Sequence, residues 1–110
     1  MEQIEFSDFQ KVKMKVGQIT SAEKVENSDN LIKMQVNVGD KTIQVVSSIA
    51  EWYQPEDLLN FKPIVIVNLK PAKFRGELSE GMLLTAEVEA EKKVVLLTPS
   101  KNIDIGAEVF

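Results

Sequence analysis

Between Leu58 and Gly76 the only charged side chains are Lys62, Lys70, Lys73 and Arg75, four cations in 19 residues without an acid, and Glu77 ends the run. Ammonium and guanidinium groups held close together bind phosphate oxygens, and clustering makes their fields add. Three of the four lie in "NLKPAKFRG", Asn68 to Gly76, where Pro71 stiffens the chain and Gly76 permits a turn. The string predicts an ordered loop leaving a strand, the kind of place where a scaffold carries binding residues. Downstream, Ser79 offers a hydroxyl to a phosphate or a base, and Met82 offers apolar surface to an exposed base. Both residue types also have plain structural uses, serine as a cap ahead of a strand and methionine as core filling.

Catalysis has little to draw on. The chain contains no cysteine and no histidine, which excludes disulfides, zinc sites with the usual nitrogen or sulfur ligands, and the Ser-His-Asp and Cys-His arrangements. Its five glycines form neither G-x-G-x-x-G nor a P-loop. No D-x-D cluster asks for magnesium or calcium, and no cofactor is expected. A net charge of −4 opposes blanket adhesion to nucleic acid or to anionic membrane. The charge is segmented, however. Phe9 to Ala22 is also free of acids and carries Lys11, Lys13 and Lys15, so the two windows hold seven of the 13 basic residues and none of the 17 acidic ones. No apolar run approaches the roughly 18 to 20 residues that span a bilayer, and "MEQIEFSDF" lacks the basic and apolar regions of a signal peptide. A cytoplasmic protein with no membrane partner is expected.

A chain of 110 residues predicts one domain, residues 1–110, able to bury a workable core. Ser7 stands three residues before Gln10, the spacing of a capping box, and predicts a short helical turn. "KVKMKVGQI" then alternates, with Val12, Met14 and Val16 on one face and Lys11, Lys13 and Lys15 on the other, the period of a half-buried strand. "ENSDN" is turn chemistry. "LIKMQVNV" places Ile32, Met34, Val36 and Val38 inward and Lys33, Gln35 and Asn37 outward, and a hairpin connection at Val38–Lys41 leads to the partner strand "TIQVVSSI". Pro55, followed by Glu56 and Asp57, marks a short helical insertion, because proline suits the first helical position and negative charge favours the helix N-terminus. The apolar run Ile64 to Val67 predicts a strand buried on both faces. Two more strands follow, with a turn around Glu89 to Lys92. Five to seven short strands with one small helix between the third and fourth predict an all-β chain, and a five-stranded Greek-key barrel of the OB type is preferred to a sandwich. The apolar C-terminus, with Ile103, Ile105, Val109 and Phe110, must be packed on its own barrel or on a second copy.

The string "NLKPAKFRGELSEGMLL" resembles that of the tRNA-binding domain found at the C-terminus of many methionyl-tRNA synthetases, in free-standing tRNA-binding proteins and in eukaryotic cofactors of synthetase complexes. The resemblance covers nearly the whole chain. "IEFSDFQKVKMKVGQI" is similar to the helix and first strand of the synthetase branch, "AEKVENSDNLIKMQVNVG" to the second strand, "VVSSIAEWYQPEDL" to the helical insertion and "VVLLTPSKNIDIGAEV" to the closing segment. It implies an OB-fold core, a C-terminal extension that builds a homodimer, and recognition of tRNA by shape and backbone. Position by position it implies tRNA contacts at Asn68, Lys70, Lys73, Arg75, Ser79 and Met82, with Lys33 as a weaker addition. Ser48 departs from the glycine often found there, which puts the local loop conformation in question.

The expected function is that of a non-catalytic tRNA-binding module, in trans to a methionyl-tRNA synthetase catalytic subunit or as an accessory part of the enzyme. Such a module concentrates tRNA near its catalytic partner. A separate synthetase subunit, an independent protein and an excised domain all fit the length. A second branch of the family, a dimeric secretion-related chaperone that binds peptides, resembles the opening and the Ser47-Ser48 pair but lacks the "LKPAKFRG" pattern. Lys70, Lys73 and Arg75 therefore favour tRNA over peptide.

Overall fold

The computed structural model describes residues 1–110. The chain is mostly β, with 39% of its residues in strands and 10% in helices. In order, the elements are α1 (Phe6–Phe9), β1 (Met14–Val16), β2 (Gln18–Lys24), β3 (Ile32–Asn37), β4 (Thr42–Ser47), α2 (Pro55–Leu58), β5 (Ile64–Ile66), β6 (Ala72–Phe74), β7 (Glu77–Ser79), β8 (Met82–Leu83), β9 (Thr85–Val88), a 3-10 turn (Glu89–Glu91), β10 (Lys93–Leu96) and β11 (Glu108–Val109). A three-stranded antiparallel sheet has the order β2-β3-β4 and a four-stranded sheet the order β11-β1-β5-β8, while β6-β7 and β9-β10 are separate hairpins. These ladders do not close into a continuous barrel.

The alternating segment that becomes β3 folds as its period requires. On β3, Ile32, Met34 and Val36 are fully buried, and the register sets Met34 against Val45 and Val36 against Ile43 of β4. On the other face Gln35 Nε2 donates to Gln44 Oε1 at 2.9 Å across the same pair of strands. The core gathers these residues with Ile19, Val38, Ile49, Leu58, Val65, Leu83 and Leu96. The turn at Glu26–Asn30 is held by Ser28, whose hydroxyl donates to Asn30 Oδ1 at 3.0 Å and accepts from Leu31 N. Pro55 opens a single helical turn with Glu56 and Asp57 in it, and Leu58 at its end is fully buried.

Four expectations need correction. The N-cap of α1 is Glu5, and no side chain caps it, so Ser7 and Gln10 form no capping box. The predicted first strand is two strands: it breaks at Gly17, where a Cβ would stand 2.7 Å from Val36 Cγ1, and Val12 is left exposed outside β1. The run at 64–67 is buried on one face only, since Val65 is inaccessible while Ile64, Ile66 and Val67 are half-buried. Strands are also shorter and more numerous than expected, 11 of them, each of two to seven residues.

The C-terminal segment packs on its own chain. β11 pairs with β1, and Gly106 N donates to Val16 O at 2.7 Å. Lys62 secures the approach, with Nζ donating to Asn102 Oδ1 at 2.7 Å and to Ile103 O at 3.3 Å. Gly106 meets Gly39 of the β3–β4 connection backbone to backbone. Each has a positive φ, +92° and +102°, and a Cβ on either would lie 2.8 to 2.9 Å from the other's Cα. Only glycine combines that approach with that conformation. We expect Gly106→Ala to destabilise the chain by at least about 2 kcal/mol, from left-handed strain plus overpacking, read as a shift in denaturant midpoint. An unchanged midpoint would mean that the tail docks elsewhere.

Candidate nucleic-acid interface

The basic segment leaves β5 and is tied down at once. Asn68 accepts from Lys13 N through Oδ1 at 2.9 Å and donates through Nδ2 to Lys11 O at 2.6 Å. Both ends of its amide are thus used by the backbone between α1 and β1. After Lys70 and Pro71 the chain forms a tight hairpin, β6 with β7, whose register pairs Ala72 with Ser79, Lys73 with Leu78 and Phe74 with Glu77. Arg75 and Gly76 make the connection, both with positive φ (53° and 81°). A two-residue turn of this kind matches the right-handed twist of the flanking strands.

The strand period gives the hairpin two faces. Ala72, Phe74, Glu77 and Ser79 share the inner one, toward β4, and Lys73 shares the outer one with Leu78. Ser79 is buried, and its hydroxyl accepts from Val46 N and donates to Gly81 O, each at 3.0 Å. Alongside, Gln44 Nε2 donates to Leu78 O at 2.8 Å, Gln44 N donates to Glu80 Oε1 at 2.9 Å, and Glu80 N donates to Gln44 O at 2.7 Å. Polar contacts therefore bind the hairpin to the edge of β4 where no ladder does. Ser79→Ala orphans the buried Val46 N–H, and we expect a loss of about 1–3 kcal/mol in stability. A melting temperature equal to that of the parent would contradict this structural role.

Lys33 belongs to the same anchorage. Its Nζ stands 3.2 Å from Glu23 Oε1 and 3.3 Å from Glu77 Oε2, bridging β2 to the hairpin. Hydrogen bonds to Glu23 and then to Glu77 hold the ammonium above the usual lysine value, so it stays charged at any physiological pH. In the other basic window Lys11 pairs with Asp8 at 3.5 Å and Lys15 with Asp40 at 3.4 Å. Asp40 is held below the usual carboxylate value by a backbone hydrogen bond first and by Lys15 second.

Lys70, Lys73 and Arg75 take part in none of the chain's ion pairs and are exposed. They mark the base, the outer face and the tip of one hairpin, so they share an element but not a plane. Met82, on β8, is 49% exposed. Of the seven residues singled out from sequence, the structure leaves four reaching into solvent (Lys70, Lys73, Arg75, Met82) and engages Lys33, Asn68 and Ser79 within the chain. Trp52 and Phe74 drew no attention in the sequence, yet both flank a groove beside the hairpin with Met82. An aromatic inside a basic string is the signal that was available for Phe74.

A family model described as "Putative tRNA binding domain" matches residues 14–108. The chain belongs to the tRNA-binding domain family. It is 49% identical over 109 residues to a methionine–tRNA ligase of Methanocaldococcus jannaschii and 50% identical over 109 residues to methionine–tRNA ligase 1 of Bacillus anthracis. Those matches cover 99% and 98% of this chain but only 17% and 16% of the ligases, so the chain spans about a sixth of their length. Among solved structures, a MetRS-related protein from Pyrococcus horikoshii superposes with a TM-score of 0.94 at 41% identity, covering 100% of both chains. The chaperone CsaA from Bacillus anthracis superposes with a TM-score of 0.89 at 28% identity, over 99% of this chain and 100% of that one. In this tRNA-binding domain Ser48 is exposed and outside the left-handed region, so the serine fits where glycine was expected.

Proposed function

We propose that this domain binds tRNA through the phosphate backbone, using Lys70, Lys73 and Arg75 on the β6-β7 hairpin with Met82 beside them, and performs no chemistry of its own. The observation that carries the reading is that three exposed, unpaired cations are gathered within one hairpin of a chain whose family is described by tRNA binding, whereas in the other basic window Lys11 and Lys15 are matched by carboxylates and only Lys13 is free. In this reading Lys33, Asn68 and Ser79 support tRNA binding by holding the hairpin. The relatives at 47–50% identity point to methionyl-tRNA synthetase as the enzyme served, with the domain acting as its accessory part or in trans. It does so by raising the local concentration of tRNA, which lowers the apparent KM without changing the catalytic step.

The architecture we assign is an OB-type Greek-key barrel over residues 1–110, its gap between β4 and β7 sealed by the Ser79, Gln44 and Glu80 bonds. We also assign a homodimer. Phe6 and Phe110 are 70% and 92% exposed, and with Phe9, Val12 and Val109 they make an apolar face that a second copy covers. A dimer presents two hairpins to one tRNA or to two.

Size-exclusion measurement with and without tRNA, repeated over a salt series, tests the reading. A dimer that shifts with tRNA is expected, with a log–log salt slope of roughly −3 to −4 if about four phosphates are neutralised per site. A complex insensitive to salt would exclude backbone recognition, and a monomer would exclude the assigned assembly. In favour of the chaperone reading stands the likeness to CsaA, at 28% identity and a TM-score of 0.89. It predicts capture of unfolded polypeptide in place of tRNA.

A further inference from the structure

The β6-β7 hairpin carries more than charge. Its inner face carries Phe74, which lines a groove of about 460 Å³ together with Trp52 and Met82. All three are partly open to solvent, Phe74 at 44%, Trp52 at 37% and Met82 at 49%. Trp52 is held in place, because its Nε1–H donates to Lys92 O at 2.9 Å. Polar side chains, Ser47 and Ser48, sit among the apolar ones. We infer that this groove takes one unstacked nucleobase of the bound RNA, stacked against Phe74 or Trp52, while its phosphate remains outside with Arg75 and Lys73.

Charge fixes that orientation. Glu51 and Glu87 line the Trp52 side of the groove, and Lys73 and Arg75 flank Phe74 in sequence at the hairpin tip. A phosphate is repelled by the carboxylates and attracted to the hairpin, so a nucleotide enters base first. The carboxylates and serine hydroxyls accept hydrogen bonds from base amino and imino groups. Stacking on an aromatic face is tolerant of base identity and contributes on the scale of the cations themselves. The groove therefore gives the domain a preference for RNA with splayed nucleotides over a plain duplex, whose bases are all stacked and paired. This inference rests on the tRNA-binding reading and adds base insertion to it.

Trp52 is the only tryptophan of the chain, which makes its emission a direct probe of the groove. The experiment compares tRNA with a blunt, fully paired RNA duplex of similar length, following binding by gel shift and Trp52 fluorescence in parallel. We expect tRNA to quench Trp52 and the duplex to bind through its phosphates with little quenching. Phe74→Ala should weaken tRNA binding about tenfold with no loss of duplex binding, and Phe74→Tyr should restore it, with unchanged melting temperatures for both. Normal tRNA affinity with an unquenched Trp52 and a silent Phe74→Ala would overturn base insertion and leave backbone binding intact. No binding of either RNA at low salt would overturn the parent reading along with the inference. Quenching by an unfolded polypeptide that tRNA cannot displace would assign the groove to peptide and also sink the inference.

Discussion

Replacing Lys70, Lys73 and Arg75 together by alanine is expected to lower tRNA affinity on the order of 10²- to 10³-fold near 0.1 M salt. Each phosphate neutralised releases close to one counterion, so each lost cation costs a little under tenfold at that concentration. None of the three side chains takes part in an ion pair or in a hydrogen bond that secures the hairpin, which hangs instead on Ser79, Gln44 and Lys33. The melting temperature should therefore stay within a degree or two, since exposed residues away from such features contribute little to stability. The salt dependence supplies an internal check, because the variant's log–log slope should flatten by about two to three. A variant that binds tRNA at parental affinity would remove the hairpin from the interface. One that melts far below the parent would show these residues to be structural.

The second large effect is on the fold. Leu58→Ala is expected to cost about 2–5 kcal/mol, the range for deleting a fully buried leucine side chain. For a domain of this size that lowers the melting temperature by roughly 10–20 °C. Leu58 closes the single turn α2 and is completely inaccessible. The backbone around it is stitched to β2 by Asn60 N to Ile19 O at 2.8 Å and Ile19 N to Phe61 O at 2.9 Å. Tyr53, just before α2, accepts from Leu96 N at 3.0 Å, which ties the insertion to β10. The Trp52 wall of the groove belongs to the same insertion. Leu58→Met, which keeps the volume, should cost under about 1.5 kcal/mol. Equal melting temperatures for the alanine and methionine variants would show that α2 is no plug for the core.

Local pattern proved readable where neighbours in sequence are also neighbours in space. The alternation of Ile32, Met34, Val36 and Val38, the proline-led turn at Pro55 and the serine-held turn at Ser28 each encode their own geometry within a few residues. Reading failed where a distant partner decides. Val12 alternates correctly yet lies outside β1, and Ile64 to Val67 reads as doubly buried although the face of Ile64 and Ile66 is only half-buried. Lys33 looked like one more outward cation until the hairpin brought Glu77 to it. Ser79 and Asn68 offered polar groups that a ligand or the chain itself could use, and the chain uses both, across separations of 33 and 57 residues.

Residue types and their spacing were enough to establish a small β chain without histidine or cysteine chemistry and to locate its concentration of positive charge between Lys70 and Arg75. Composition and period are properties of the covalent chain, so folding cannot alter them. Tertiary structure alone decided which cations stay free and which are matched by carboxylates, that Phe74 and Lys73 fall on opposite faces of the hairpin, and that Trp52 and Phe74 line one groove. Those outcomes depend on ion pairs and packing between segments far apart in sequence, and their distances exist only once the chain has closed on itself.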